Sequence, residues 1–162
     1  MRLTPMATGF IEQLMQRGWR HVASSVATSV VPSRYFSVPE EIRHFIASFD
    51  VLCNENETQW LVSAADFQRP QSEGFGCNEF EQISLLAAEG DLGWQQRIKS
   101  FWDAHLPIFM RVDGAYAYAA YCCSGSNAGS FVSGYEPEFE EISVVGRTLA
   151  EFQTWLLHET DA

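Results

Sequence analysis

The sequence predicts an α+β domain, with helices packed on an antiparallel sheet. Three observations lead there. Five stretches carry apolar residues at helical spacing behind recognisable start signals, several short runs alternate apolar and polar residues, and the two kinds follow one another without any βαβ repetition. The chain has 162 residues, 46% of them hydrophobic and 14% aromatic against 19% charged, which suits a single compact domain with its own core.

Thr4 and Pro5 open the first helix, and Phe10, Ile11 and Leu14 supply its apolar face up to Gly18. A polar and β-branched connector, "SSVATSVVPSRYF", follows. Pro39 then sits in the first turn of a second helix with Glu40 and Glu41 at its positive end, and Ile42, Phe45, Ile46 and Phe49 share one face. Residues 51–67 read as two short strands joined by the polar loop Asn54 to Thr58, with Trp60 and Val62 on one face and Leu61 on the other. The stretch "QRPQSEGFGC" is aperiodic and reads as a loop. Asn78 with Glu81 has the pattern of a capping box for a third helix, in which Phe80, Ile83 and Ala87 line one face. Asp91 opens a fourth helix, in which Trp94, Ile98, Phe101 and Trp102 line up.

Leu106 to Val112 and Ala115 to Cys122 flank Asp113-Gly114, a two-residue signal for a type I′ hairpin. Along it Tyr116 and Tyr118 face one side and Ala115, Ala117 and Ala119 the other, leaving one bulky face and one a helix can approach closely. "SGSNAGS" is a connector, Phe131 to Tyr135 a strand, and "EPEFEEISVV" an acidic turn leading to a last strand. Thr148 and Glu151 form a capping box for a C-terminal helix that turns Leu149, Phe152 and Leu156 to the sheet, with Trp155 at the margin of that face.

Charge is the most unusual bulk property. Ten basic residues stand against 21 acidic ones, a net of -11, and residues 1–49 hold five Arg against three Glu, so the negative charge belongs to the remainder. Such a surface repels nucleic acid and steers basic partners toward itself, besides keeping a protein dispersed. Cys53, Cys77, Cys122 and Cys123 form no CxxC pair and have no histidine at zinc-ligand spacing, so no metal is expected. The stretch "MRLTPMATGFIEQLMQRGW" lacks a continuous apolar core of signal-peptide length, and no apolar run approaches the roughly 20 residues that span a bilayer. A cytoplasmic protein with reduced thiols, which engages no membrane, is the expectation.

Ordered short blocks resemble the SUKH superfamily, the Smi/Knr-type immunity-protein fold. They are "VPEEIRHFIASF" at 38–49, "WLVSAADF" at 60–67, "LPIFMRVDGAYAYA" at 106–119, "GSFV" at 129–132 and "RTLAEFQTWL" at 147–156. The chain departs from the pattern where "SFD" replaces the frequent Asn-Gly after the first matching helix, and where Ala115 replaces a glycine. Residues 38–162 form the resembling core of a single domain, preceded by an N-terminal helix and connector over 1–37. The resemblance implies a non-catalytic immunity protein that occludes a cognate toxin, often a nuclease with a basic cleft. The alternative is an intracellular adaptor or regulatory scaffold for an endogenous protein.

Candidate acidic contacts for a basic partner are Glu55, Glu57, Glu73, Glu79, Glu136, Glu138, Glu140 and Glu141, each weighed against an ordinary solvated side chain. Trp60, Tyr116, Tyr118 and Tyr135 are candidate anchors, each weighed against core packing, the commoner role of an aromatic in a small domain. Catalysis is not expected. Cys122 or Cys123 with His105 or His158 lacks a third orienting group, the chain has none of the phosphate-loop, hydrolase or zincin motifs, and the glutamates after Tyr135 lack the ligand order of a calcium loop. No cofactor is expected either.

Overall fold

The computed structural model describes residues 5–25, 31–35, 37–69 and 75–160. Among these, the chain forms a seven-stranded antiparallel sheet and six helices. Helix α1 (Pro5–Gln16) leads through Gly18, at φ 91°, into strand β1 (Arg20–Ala23), and α2 (Glu40–Ala47) leads into β2 (Phe49–Cys53) and β3 (Gln59–Leu61). Three helices follow, α3 (Ala64–Gln68), α4 (Glu79–Ala87) and α5 (Leu92–Asp103), before β4 (His105–Arg111), β5 (Ala117–Cys122), β6 (Phe131–Tyr135), β7 (Ser143–Gly146) and α6 (Leu149–Glu159). The strands lie side by side in chain order, β1 to β7, each antiparallel to its neighbours.

Alternation along the strands sends side chains to two different cores. On one face Leu52, Leu61, Leu106, Ala119 and Phe131 join Phe10 and Leu14 of α1, Phe45 and Ile46 of α2, and Phe152 and Leu156 of α6. On the other, Val62, Met110, Tyr118, Ala120 and Val132 join Phe80 of α4, Ile98 and Trp102 of α5, and Phe139. The central strand β4 is therefore buried from His105 to Met110. Pro107 lacks the N–H a central ladder needs, and a register shift between Pro107 and Phe109 absorbs it. The N-terminal part contributes to the fold directly, since α1 supplies the first core and β1 pairs with β2.

Several sequence expectations change. The Asp113-Gly114 hairpin exists, but its last strand pair is Arg111 with Ala117, so the turn spans residues 112–116 rather than two residues. Gly114 takes φ 91° whereas Asp113 does not enter the positive-φ region. The Asp113 carboxylate is held by Arg111 at 2.7 Å, Gln59 at 2.8 Å and Thr58 at 3.2 Å, which draws it toward the neighbouring hairpin. These hydrogen bonds outweigh its partial burial and hold its pKa below the ordinary carboxylate value. Strand β1 lies between the expected first helix and the connector, where the sequence announces no element, and α3 lies in what reads as strand and loop. The latter begins at a capping box in which Ser63 Oγ accepts from Asp66 N and Ser63 N donates to the Asp66 carboxylate. Phe49 starts β2 instead of ending a helix, while Ala87 and Trp94 are exposed instead of lying on buried faces.

At the start of α4 the expected capping box is replaced by a stronger bond. Asn78 makes no side-chain cap, and Glu81, 5% exposed, turns inward to Arg34. The guanidinium donates to both Glu81 oxygens, at 2.7 and 3.0 Å, and its Nε donates to Asp103 at 2.9 Å. Arg34 thereby ties the segment before α2 to α4 and α5 at once. Arg34→Ala would strand the buried Glu81 carboxylate and should cost about 3 kcal/mol, whereas Arg34→Met with Glu81→Leu should recover most of the loss. Urea unfolding midpoints measure both; equal losses in the single and double variants would show that the stranded Glu81 charge is not the cause of the loss.

His105 is buried at the head of β4, stacked on Phe101 at 4.0 Å, and its Nδ1–H donates to Phe101 O at 2.6 Å. Its Nε2 is buried and has no partner, and burial holds the imidazole pKa below its ordinary 6.5. Below pH 6.5 the unfolded chain takes up this proton while the folded chain does not, so stability falls with pH until the lowered folded value is reached. One such group sets a slope of at most about 1.4 kcal/mol per pH unit. Stability measured from pH 7.5 to 5 should lose this component in His105→Phe.

Candidate partner interface at one end of the sheet

In a seven-strand meander alternate turns emerge at the same end of the sheet. The β2–β3 turn (54–58), the β4–β5 turn (112–116) and the β6–β7 turn (136–142) share one end, and each carries acids. Glu55 and Glu57 lie in the first, Asp113 in the second, and Glu136, Glu138, Glu140 and Glu141 in the third. Glu79 opens α4 beside them, since the next residue, Phe80, stacks on Tyr116 with ring centroids 5.6 Å apart. Acids far apart in sequence are thus collected on one rim. Glu73 lies outside the described residues.

Their environments differ. Glu55, Glu138, Glu140 and Glu141 are exposed, and Glu79 is half-buried. Glu57, at φ 57°, is paired with Arg20 at 2.6 Å on the exposed surface. Glu136 is tied down: its Oε1 accepts from Tyr116 N at 2.8 Å, and its own N–H donates to Tyr116 O at 2.8 Å. The Glu141 carboxyl is held above its ordinary pKa by its hydrogen bond to Glu138 and by that neighbour's charge, a mark of crowded like charges.

The third turn is fixed from beneath. Phe139 is inserted into the second core, stacked on Phe80 at 4.8 Å, and its carbonyl oxygen accepts from the Tyr118 hydroxyl. The turn packs so closely on β6 that a Cβ at Gly134 would lie 2.8 Å from both the Phe139 oxygen and the Tyr118 hydroxyl. Only glycine fits there. A swarm of carboxylates is therefore presented on a rigid support.

The four candidate aromatics separate clearly. Tyr118 is 1% exposed and Tyr116 half-buried against Phe75 and Phe80, so Tyr118 cannot be an anchor and its role is packing. Tyr135, at the end of β6, is 66% exposed next to the acidic turn. Trp60 is half-buried and lines a hollow of about 450 Å³ on the face of β2 and β3. This hollow exists because, among the described residues, the second core includes none from β1 or β2. Sequence reasoning missed its other walls, among them Arg20, Asp50, Val51, Asp66 and Phe75. Only the pairing of β1 with β2 places Arg20 opposite Cys53, and no local pattern announces that.

Among the described residues no group of three or more histidine, cysteine or carboxylate side chains is arranged to hold a metal, and no helix is long and apolar enough to cross a membrane. The thiols are poor nucleophile candidates: burial pushes Cys77 and Cys123 up to about 11 and also raises Cys122. Phe139→Ala should cost about 3 kcal/mol through the lost stack and the cavity left behind, whereas Tyr135→Ala should stay within about 0.5 kcal/mol of the parent. Thermal unfolding compares the two, and a large loss in the Tyr135 variant would refute its assignment to the free surface. No family model, no curated protein and no solved structure matches this chain.

Proposed function

We propose that the chain is a non-catalytic protein-binding domain of the SUKH type, acting as an immunity protein that neutralises a basic toxin domain by covering its phosphate-binding cleft. The observation that carries this reading is the gathering of Glu55, Glu57, Glu136, Glu138, Glu140 and Glu141 from separate turns onto one end of the sheet. The α+β architecture, an antiparallel sheet flanked by helices, is in keeping with the fold that the sequence resemblance implies.

Physically, the acidic rim supplies long-range attraction and Tyr135 supplies an exposed aromatic next to it. A stable complex needs about 800 Å² from each partner, and the rim together with the flanking turns offers a surface for it. A nuclease cleft built to hold phosphates carries the complementary charge. An acidic protein seated over it competes with the substrate for the same field.

The test is affinity capture with the tagged protein against the products of adjacent genes, followed by association kinetics on whatever is captured. The triple reversal Glu138→Lys, Glu140→Lys and Glu141→Lys should slow association by about 10-fold to 100-fold at low salt, and the parent rate should fall steeply as salt rises. A rate indifferent to both changes would sink the electrostatic reading. Capture of an endogenous, non-toxic protein would assign the adaptor role instead.

A further inference from the structure

The hollow beside Trp60 has a chemistry of its own. Its floor is the outward face of β2 and β3, where Val51 and Trp60 are partly exposed over the buried Cys53 and Val62, and Phe75 closes one side, its ring set edge-on to Trp60 with centroids 5.7 Å apart. Three carboxylates and two guanidiniums line it. Glu57 is paired with Arg20 at 2.6 Å, and Asp66 with Arg69 at 2.9 Å. Asp50 has no cation among the described residues: its Oδ2 accepts from Ser25 N at 3.2 Å and Ser25 Oγ at 2.7 Å, and its Oδ1 is buried without any donor. Among the described residues the groove thus keeps one carboxylate without a counter-charge, at one end of an apolar, aromatic trough.

Each property selects against other ligands. An anion meets Asp50 without a counter-charge, and a wholly apolar group leaves it so. Thiol chemistry is not favoured, because burial holds the Cys77 thiol protonated. A compact ammonium gains from the charge but little from the aromatic walls. A guanidinium uses both, because its plane stacks on aromatic rings, it is weakly hydrated, and its stem covers apolar surface. The volume, about 450 Å³, accommodates one such side chain.

We propose that this groove receives one arginine side chain of the partner protein, its stem over Val51, its plane against Trp60 and Phe75, and its guanidinium beside Asp50. The identity of the donor as a partner protein rests on the binding reading above, but the recognition itself can be tested without any partner. Glu57 lines the groove and belongs to the acidic rim, so the two surfaces are continuous.

The experiment titrates isotope-labelled full-length protein with N-acetyl-arginine amide and, separately, with the uncharged analogue N-acetyl-citrulline amide. Shifts are read at the Trp60 indole N–H and the Val51 and Val62 methyl groups. The arginine probe should saturate with a dissociation constant of about 1–10 mM, and the citrulline probe should bind at least about 10-fold more weakly, one charge-assisted contact being worth that much. Val51→Trp fills the trough and should abolish the shifts. Asp50→Asn should weaken binding about 5-fold or more, whereas the triple lysine reversal of the acidic turn should leave it within about 2-fold. Equal binding of both probes, unsaturable shifts, or shifts confined to Glu138–Glu141 would overturn the proposal. Arginine-specific binding with no toxin partner would leave the groove assigned and the immunity reading refuted; a captured toxin whose affinity Val51→Trp leaves unchanged would do the reverse.

Discussion

In an antiparallel meander each strand returns beside its predecessor, and alternate turns are forced to the same end of the sheet. Everything distinctive about this molecule follows from that constraint. Acids spread from residue 55 to residue 141 converge because three such turns carry them, not because the sequence places them together. Convergence of like charges opposes folding. The opposing cost is met locally: Asp113 is held by Arg111, Gln59 and Thr58, Glu57 by Arg20, and Glu136 by the Tyr116 backbone. Glu138, Glu140 and Glu141 stand exposed on a turn that Phe139 and Tyr118 hold in place.

Burying the sheet on both faces creates a second demand. The helices on opposite faces share few direct contacts, so something must fix one layer relative to the other. Arg34 meets this demand. The adjacent Tyr35 is buried in the first core, while the guanidinium of Arg34 reaches α4 and α5 on the other side. A bidentate guanidinium–carboxylate pair is directional in a way that apolar packing is not, so this contact sets how the layers meet. Such specificity costs desolvation of both charges. The bulge at Pro107 in the most buried strand is a comparable concession, where one ladder bond is given up for the path of the chain.

Elements whose signals are local were legible in the sequence. The span Phe131–Tyr135 was readable from alternation, and the C-terminal helix from Thr148, whose hydroxyl does accept from Glu151 N. Elements defined by a distant partner were not. Strand β1 is four residues long, mostly exposed, and exists only because Val51 and Cys53 lie opposite it. Glu81 illustrates the same limit: by spacing it belongs to a capping box, but Arg34, 47 positions earlier, binds it first. The candidate site was legible as composition, through the acidic residues, but not as shape. Nothing in the order of residues 50–77 shows that a helix pair covers β4 to β6 and leaves β2 and β3 open.

If the chain binds a basic partner as proposed, the acidic rim and the groove divide the work of recognition by range. Exposed carboxylates act over about a Debye length, near 8 Å at physiological salt, and their attraction weakens as salt rises. They influence encounter more than residence. The groove acts only at contact, where Trp60 and Phe75 offer aromatic surface and Asp50 has no counter-charge among the described residues. An arginine seated there would add a counter-charge and a stacked contact, so its loss would be felt chiefly in the dissociation rate. A basic surface without the matching arginine is then drawn in quickly and released quickly. Discrimination among equally basic partners would then belong to the groove, which Glu57 joins to the rim.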